Sequence, residues 1–197
     1  MNHSQLGKHR LEPKWQIPLG QLHRVLNTHS VPIELLDWLL DPGSLTSRLL
    51  HYCPDNFQVR PRAQYWSRPM LNEAQALGVN PQHICFIREV HLLCGKQPWV
   101  FARTVIPVTS LSGPRRRLAR LGKKPLGAVL FADPHMRRSG IEIARLLPFH
   151  TLYQHAVEPL NSRPEEIWGR RSAFYLNDRP LLVNEIFLPG IDSAHGT

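Results

Sequence analysis

Cysteine is scarce in this 197-residue chain: there are three, an odd number, and no two stand in a C-x-x-C pair. That usage argues against a disulfide framework and a zinc ribbon, and it fits a reducing compartment. No apolar run approaches the roughly 20 residues that cross a bilayer. The opening stretch, MNHSQLGKHRLEPKW, is polar and lacks the apolar segment of a secretory signal. The expectation is a cytoplasmic protein with no stable membrane insertion. Eleven histidines include neither H-E-x-x-H nor H-x-x-x-H, so no metal site is expected. G-x-S-x-G, G-x-x-x-x-G-K-[ST] and G-x-G-x-x-G are also missing. Covalent serine chemistry and the use of nucleotides or dinucleotides lose support accordingly.

Acidic residues are the other shortage. Fifteen Asp and Glu face 24 Lys and Arg, for a net charge of +9. Such a field favours anionic partners, whether nucleic acid, a membrane surface or an acidic metabolite, without choosing among them. What is present is ordinary globular material, 42% hydrophobic and 20% charged, enough for one domain with a sizeable core. That domain is expected over 30–190, between a polar N-terminal tail or extension at 1–29 and a C-terminal tail at 191–197.

SVPIELLDWLL reads as a helix with Ser30 as its cap and Pro32 early in it. After the Asp41-Pro42-Gly43 turn, Ser44 caps a second short helix bearing Leu45, Leu49 and Leu50. HICFIREVHLLC and PWVFARTVIPV read as two strands joined at Gly95-Lys96. A helix is expected over about 111–121, ending at Gly122. GIEIARLLP is a strand, 149–167 is partly helical, and RRSAFYLNDRPLLVNEIFLP is a hairpin turning near Asn177-Asp178. The fold class is α+β: a single antiparallel sheet with helices packed on it.

Alternation gives the sharpest chemical signal. Ile84, Phe86, Arg88, Val90 and Leu92 share one face of a strand, which sets a guanidinium in the middle of an apolar surface. A charge there needs an anionic partner, either a protein carboxylate or a ligand. Trp99, Phe101, Arg103 and Val105 share a face of the return strand. A two-residue turn at Gly95-Lys96 sets Arg103 opposite Arg88, where a ligand with more than one negative charge would relieve their repulsion; a three-residue turn moves the pairing by one. Glu185 shares a face with Leu181, Val183 and Phe187, and it requires a compensating cation. A simple bridge to an arginine satisfies that requirement as well as a ligand does. The cations Arg115, Arg116, Arg117, Arg120, Lys123 and Lys124 have no aromatic residues among them for base stacking, and they read as a solvated helix face.

ARTVIPVTSLSG, LGKKPLGAVLF, WGRRS and PLLVNEIFLP, in that order, with SRLL and REVHLL before them, resemble the chorismate lyase family over about 30–190. The resemblance implies a cofactor-independent lyase in which chorismate loses its enolpyruvyl group as pyruvate. The ring aromatises to 4-hydroxybenzoate, the first committed step of ubiquinone biosynthesis. It implies helical flaps over an internal ligand pocket and a monomer whose partners are chorismate and the two products, with no nucleic acid. It also implies site residues: Arg88 on the ring carboxylate, Glu185 on the ring hydroxyl, backbone groups at Leu45 and Leu126, and Arg103 as a candidate for the second carboxylate. The 149–167 segment and the N-terminal stretch are longer than this pattern expects. The alternative is a non-catalytic module for small acidic effectors, the sensor domain of certain transcription regulators. About thirty residues before the matched region are too few for the DNA-binding domain that normally precedes such a sensor.

Overall fold

A computed structural model describes residues 11–16 and 31–195. In chain order it has α1 (Ile33–Leu40), α2 (Leu45–Tyr52), β1 (Phe57–Ser67), α3 (Leu71–Leu77), β2 (Cys85–Cys94) and β3 (Gln97–Pro107). Two 3-10 segments follow, Val108–Ser110 and Gly113–Arg120, then α4 (Leu126–Phe131), β4 (Met136–Arg138) and β5 (Glu142–Leu146). The chain continues with α5 (Thr151–Val157), β6 (Ile167–Leu176), β7 (Arg179–Phe187) and a last 3-10 segment, Pro189–His195. The strands form one antiparallel sheet in the order β1-β2-β3-β7-β6-β4, with β5 on another part of β6. This is the α+β architecture that the pattern of hairpins implies. Among the described residues no helix is long and apolar enough to cross a membrane. The Ser30 cap lies outside the described residues.

Both faces of the sheet are buried, which is why β2 and β7 read as apolar on either side of the pleat. On one face α3 and α5 cover two clusters, around Ile87, Val105 and Leu182 and around Phe101, Leu152 and Ile186. On the other face α1 and α2 cover Val90, Leu92 and Phe187. Beside them, Gly113–Arg120 and α4 cover Phe86, Phe174 and Val183. These two covers are helical flaps, and the space between them lies over the middle of the sheet.

Two turns fix the registers. Asn177 and Asp178 both have positive φ, 49° and 61°, the backbone that a two-residue hairpin with native twist requires. The β2–β3 hairpin starts in the expected register, with Cys94 opposite Gln97. A bulge beyond Leu93 then moves the pairing by one, so Arg88 faces Thr104 and Arg103 faces Glu89. The expected helix over 111–121 is a 3-10 segment, and it stops before Gly122, whose φ is +54°. Residues 11–16 lie against the domain: Glu12 accepts from the Leu71 and Asn72 N–H groups, and Gln16 bridges Ile143.

One expectation from composition fails. Cys53 and Cys94 form a disulfide, and only Cys85 is free, and buried. The odd count and the lack of a C-x-x-C pair argue against a disulfide framework and fit a reducing compartment, and this one bond runs against both. What decides it is the docking of the α2 C-terminus on the end of β2, which brings the two Cα atoms to 5.9 Å. The bond closes a loop of 41 residues in sequence separation, and chain entropy gives such a cross-link about 4 kcal/mol. Thermal melts with and without a phosphine reductant should differ accordingly, with the reduced protein melting lower. Equal melting temperatures would show that the bond adds nothing.

Candidate active site

Register determines what meets over the sheet. Arg88 pairs with Thr104, which pairs with Val183, so the three share a row on the flap-covered face. Val90, Ala102, Glu185 and Arg170 form the next row on that face. Arg88 and Glu185 thus stand two strands and two residues apart, a Cα separation of roughly 12 Å by ordinary sheet spacings. Both line one cavity, together with Leu45 and Thr46 of α2 and Leu126 and Gly127 of α4. Phe131, Phe174 and Val183 help make its apolar wall.

At one end sits Arg88, 2% exposed. Its Nη2 donates to the main-chain carbonyls of Gly122 and Lys124, each at 3.0 Å. Its Nε is buried and has no hydrogen-bond partner among the described residues. Among the described residues no carboxylate lies within ion-pair distance of it. Burial lowers this guanidinium to about 10, still charged at neutral pH. It is a cation with donors to spare in an apolar chamber.

Glu185 is at the other end, and here the compensating cation is a protein group. Arg170 Nε donates to Glu185 Oε2 at 2.6 Å, while its Nη1 reaches the carbonyls of Trp38 (2.8 Å) and Asp41 (2.6 Å) at the end of α1. Arg170 is 1% exposed. Oε1 makes no hydrogen bond within the described residues. Arg170 is absent from the sequence-based expectations, although the sequence carries a signal for it: counting back from the Asn177-Asp178 turn sets it opposite Glu185. Arg138 was missed too. It enters the cavity wall from the edge strand β4, which is too short for alternation to register.

Leu45 and Leu126 each open a helix, and both side chains are buried against the cavity. The N–H groups of a first helical turn have no partner within the helix; in α2 the Ser44 hydroxyl accepts from that of Ser47, and in α4 no side chain caps the turn. The flaps meet at Gly127, where a β-carbon would stand 2.8 Å from Thr46 Oγ1 and 3.3 Å from Ser44 Oγ. The chamber is tight: a water-sized sphere has about 40 Å³ for its centre, room for a few waters at roughly 10–15 Å³ each. A ring compound enters only if the flaps part. Gly127→Val should wedge them, raising the dissociation constant of a bound ring compound roughly tenfold through faster release, measured by stopped-flow fluorescence. An unchanged off-rate would show that the flaps do not control exit.

Arg103 is not part of this site, contrary to expectation. The bulge turns it to the opposite face, where Glu73 accepts from its Nε and Nη2 at 2.8 and 3.0 Å and Glu89 accepts from its Nη1 at 2.7 Å. Burial works against the Glu89 carboxylate, but the His155 hydrogen bond and the Arg103 charge overcome it and hold Glu89 down to about 2. With both acids already in place, Arg103 has no charge left for a ligand. The run Arg115 to Lys124 lies on the outer side of the second flap. Arg116, Arg117, Arg120, Lys123 and Lys124 are exposed there, while Leu118 and Leu121 point inward.

A family model described as chorismate lyase matches residues 22–195. A relative from Nitrosomonas europaea, named as a probable chorismate pyruvate-lyase, is 37% identical over 162 residues, 82% of this chain and 90% of the relative. One of the same name from Pseudomonas aeruginosa is 40% identical over 162 residues, 82% of this chain and 87% of its own. Among solved structures, a GntR-family transcriptional regulator from Bacillus cereus aligns with a TM-score of 0.51 at 10% identity, covering 68% of this chain and 93% of that one. The effector domain of PhnF from Mycobacterium smegmatis aligns at 0.50 with 14% identity, over 68% and 81%. At such identities these two share the fold and no more. Family-wide sequence agreement of this extent is decisive: the chain belongs to the chorismate lyase family.

Proposed function

We propose that this protein is a chorismate pyruvate-lyase that releases pyruvate and leaves 4-hydroxybenzoate, in the cytoplasm, on the route to ubiquinone. One observation carries the reading: among the described residues a buried arginine with no carboxylate partner and a carboxylate with a free oxygen line one narrow, largely apolar chamber. That is the complement of a ring with a carboxylate at one end and a hydroxyl at the other. Arg88 takes the ring carboxylate, a charge-assisted contact strengthened by exclusion of water. Glu185 Oε1 accepts from the ring hydroxyl, and Arg170 fixes the orientation of that carboxylate. The first-turn N–H groups at Leu45 and Leu126 supply the remaining donors.

The chemistry is an elimination. The C3–O bond breaks, the C4 proton leaves, and the C4–H electron pair becomes the double bond that completes the aromatic ring. The departing enolpyruvate takes a proton at its methylene carbon and becomes pyruvate. Aromatisation supplies the driving force, so binding and orientation are the protein's main work. The test follows pyruvate from chorismate through lactate dehydrogenase, using protein dialysed against a chelator. Release well above the spontaneous rate is expected. Tight binding of 4-hydroxybenzoate with no pyruvate release would instead mark a sensor module and end this reading.

A further inference from the structure

Chorismate carries a second carboxylate, on the enolpyruvyl ether at C3, and Arg88 and Glu185 leave it unattended. We propose that Arg138 holds it, an inference that rests on the proposed reaction and extends it. Arg138 lines the same cavity as Arg88, Glu185 and Arg170. It stands opposite Phe174 at the sheet edge, on the cavity face. Its Nε donates to Ser172 Oγ at 3.0 Å, and its Nη1 to the carbonyls of Pro42 (2.7 Å) and Gly43 (3.3 Å). The ring of Phe174 lies 5.2 Å beneath the guanidinium carbon. Four neighbours therefore fix the side chain, yet Nη2 and its two hydrogens bond nothing among the described residues. No carboxylate stands within ion-pair distance either, in contrast to Arg170, Arg171 and Arg137.

Position selects the ligand group. C3 is next to C4, so a ring whose C4 hydroxyl meets Glu185 projects its C3 ether from the Glu185 end. Arg138 is at that end: burial chiefly lowers its pKa, and the charges it senses after that are Arg170, Glu185 and Asp41, the last at the end of α1. Arg88 lies across the sheet, in the row that ends at Ser172, the residue Arg138 leans on. A guanidinium here meets the carboxylate of the leaving group, and it also faces the ether oxygen that receives the electron pair when the C3–O bond breaks. The product 4-hydroxybenzoate has no such group.

That difference supplies the test. Arg138→Met keeps the stem and removes the charge. Dissociation constants are measured for 4-hydroxybenzoate and for 3-(carboxymethoxy)-4-hydroxybenzoate, an unreactive ring with the ether carboxylate in place, alongside chorismate kinetics. The expected result is a rise of roughly 30-fold or more in KM for chorismate and in Kd for the carboxymethoxy compound, with Kd for 4-hydroxybenzoate within about twofold of wild type. Arg138→Lys, which retains a cation, should recover part of the loss. Equal losses for all three ligands would show that Arg138 only ties down the first flap, and unchanged affinity for all three would show that it does nothing; either overturns the assignment. Wild-type protein assayed in parallel separates the two levels. If it releases no pyruvate, the reaction itself is wrong, whereas active wild type with a flat Arg138→Met profile removes Arg138 alone.

Discussion

Arg88→Met is expected to raise KM for chorismate roughly a hundredfold while leaving the protein no less stable. Truncating one partner of a buried charge pair costs about 2–5 kcal/mol of binding, and every 1.4 kcal/mol or so is tenfold in affinity. The stability half of the prediction follows from the same geometry. Among the described residues Arg88 is a buried cation with an unpaired Nε and no counterion, a state that costs several kcal/mol and that methionine would not share. The two carbonyls it contacts belong to Gly122 and Lys124, both exposed residues to which water has access. Thermal melting and steady-state kinetics on one preparation check both halves. A variant that binds as well as wild type removes Arg88 from the site; one that melts far lower shows the arginine to be structural.

Glu185→Gln should move stability the other way. Glutamine keeps the shape and one acceptor oxygen, but it removes the carboxylate that pairs with Arg170, a residue 1% exposed. Breaking a fully buried pair costs about 3–5 kcal/mol; here Glu185 is partly open and Arg170 keeps its two carbonyl contacts, so about 2 kcal/mol is expected. Turnover should fall about a hundredfold, at the low end for losing a positioned acid–base group. Pyruvate release and thermal melting again read both effects. Wild-type turnover in this variant would show that the hydroxyl end needs no charge. The pair is diagnostic because the two ends of the chamber are built differently: one cation awaits an external anion, and one anion is already held by an internal cation.

Much of this was legible in the residues. The face shared by Arg88, Val90 and Leu92 followed from strand alternation, and the Asn177-Asp178 turn followed from the side chains that tolerate positive φ. The error over Arg103 came from one extra residue in β3. A bulge leaves no trace in a hydrophobic pattern, yet it turns every later side chain relative to the neighbouring strand. β1 and α3 escaped notice altogether. β1 is polar along most of its length because one side is largely open, and FQVRPRAQYWS shows no clean period. α3 is seven residues long. These two elements supply Tyr65 and Glu73, and Glu73 is one of the two acids that claim Arg103. Without them, no count from the β2–β3 hairpin could have shown the arginine to be occupied.

The flaps are latched in a way that has a consequence for descent. Arg88 grips the second flap through the main-chain oxygens of Gly122 and Lys124. Arg170 and Arg138 grip the first through those of Trp38, Asp41, Pro42 and Gly43. Every residue type carries the same carbonyl. Lineages can therefore exchange the exposed flap side chains, retuning charge or solubility on the outside, while the three arginines keep their hold; a sequence comparison then shows the donors of the latch but not what they grip.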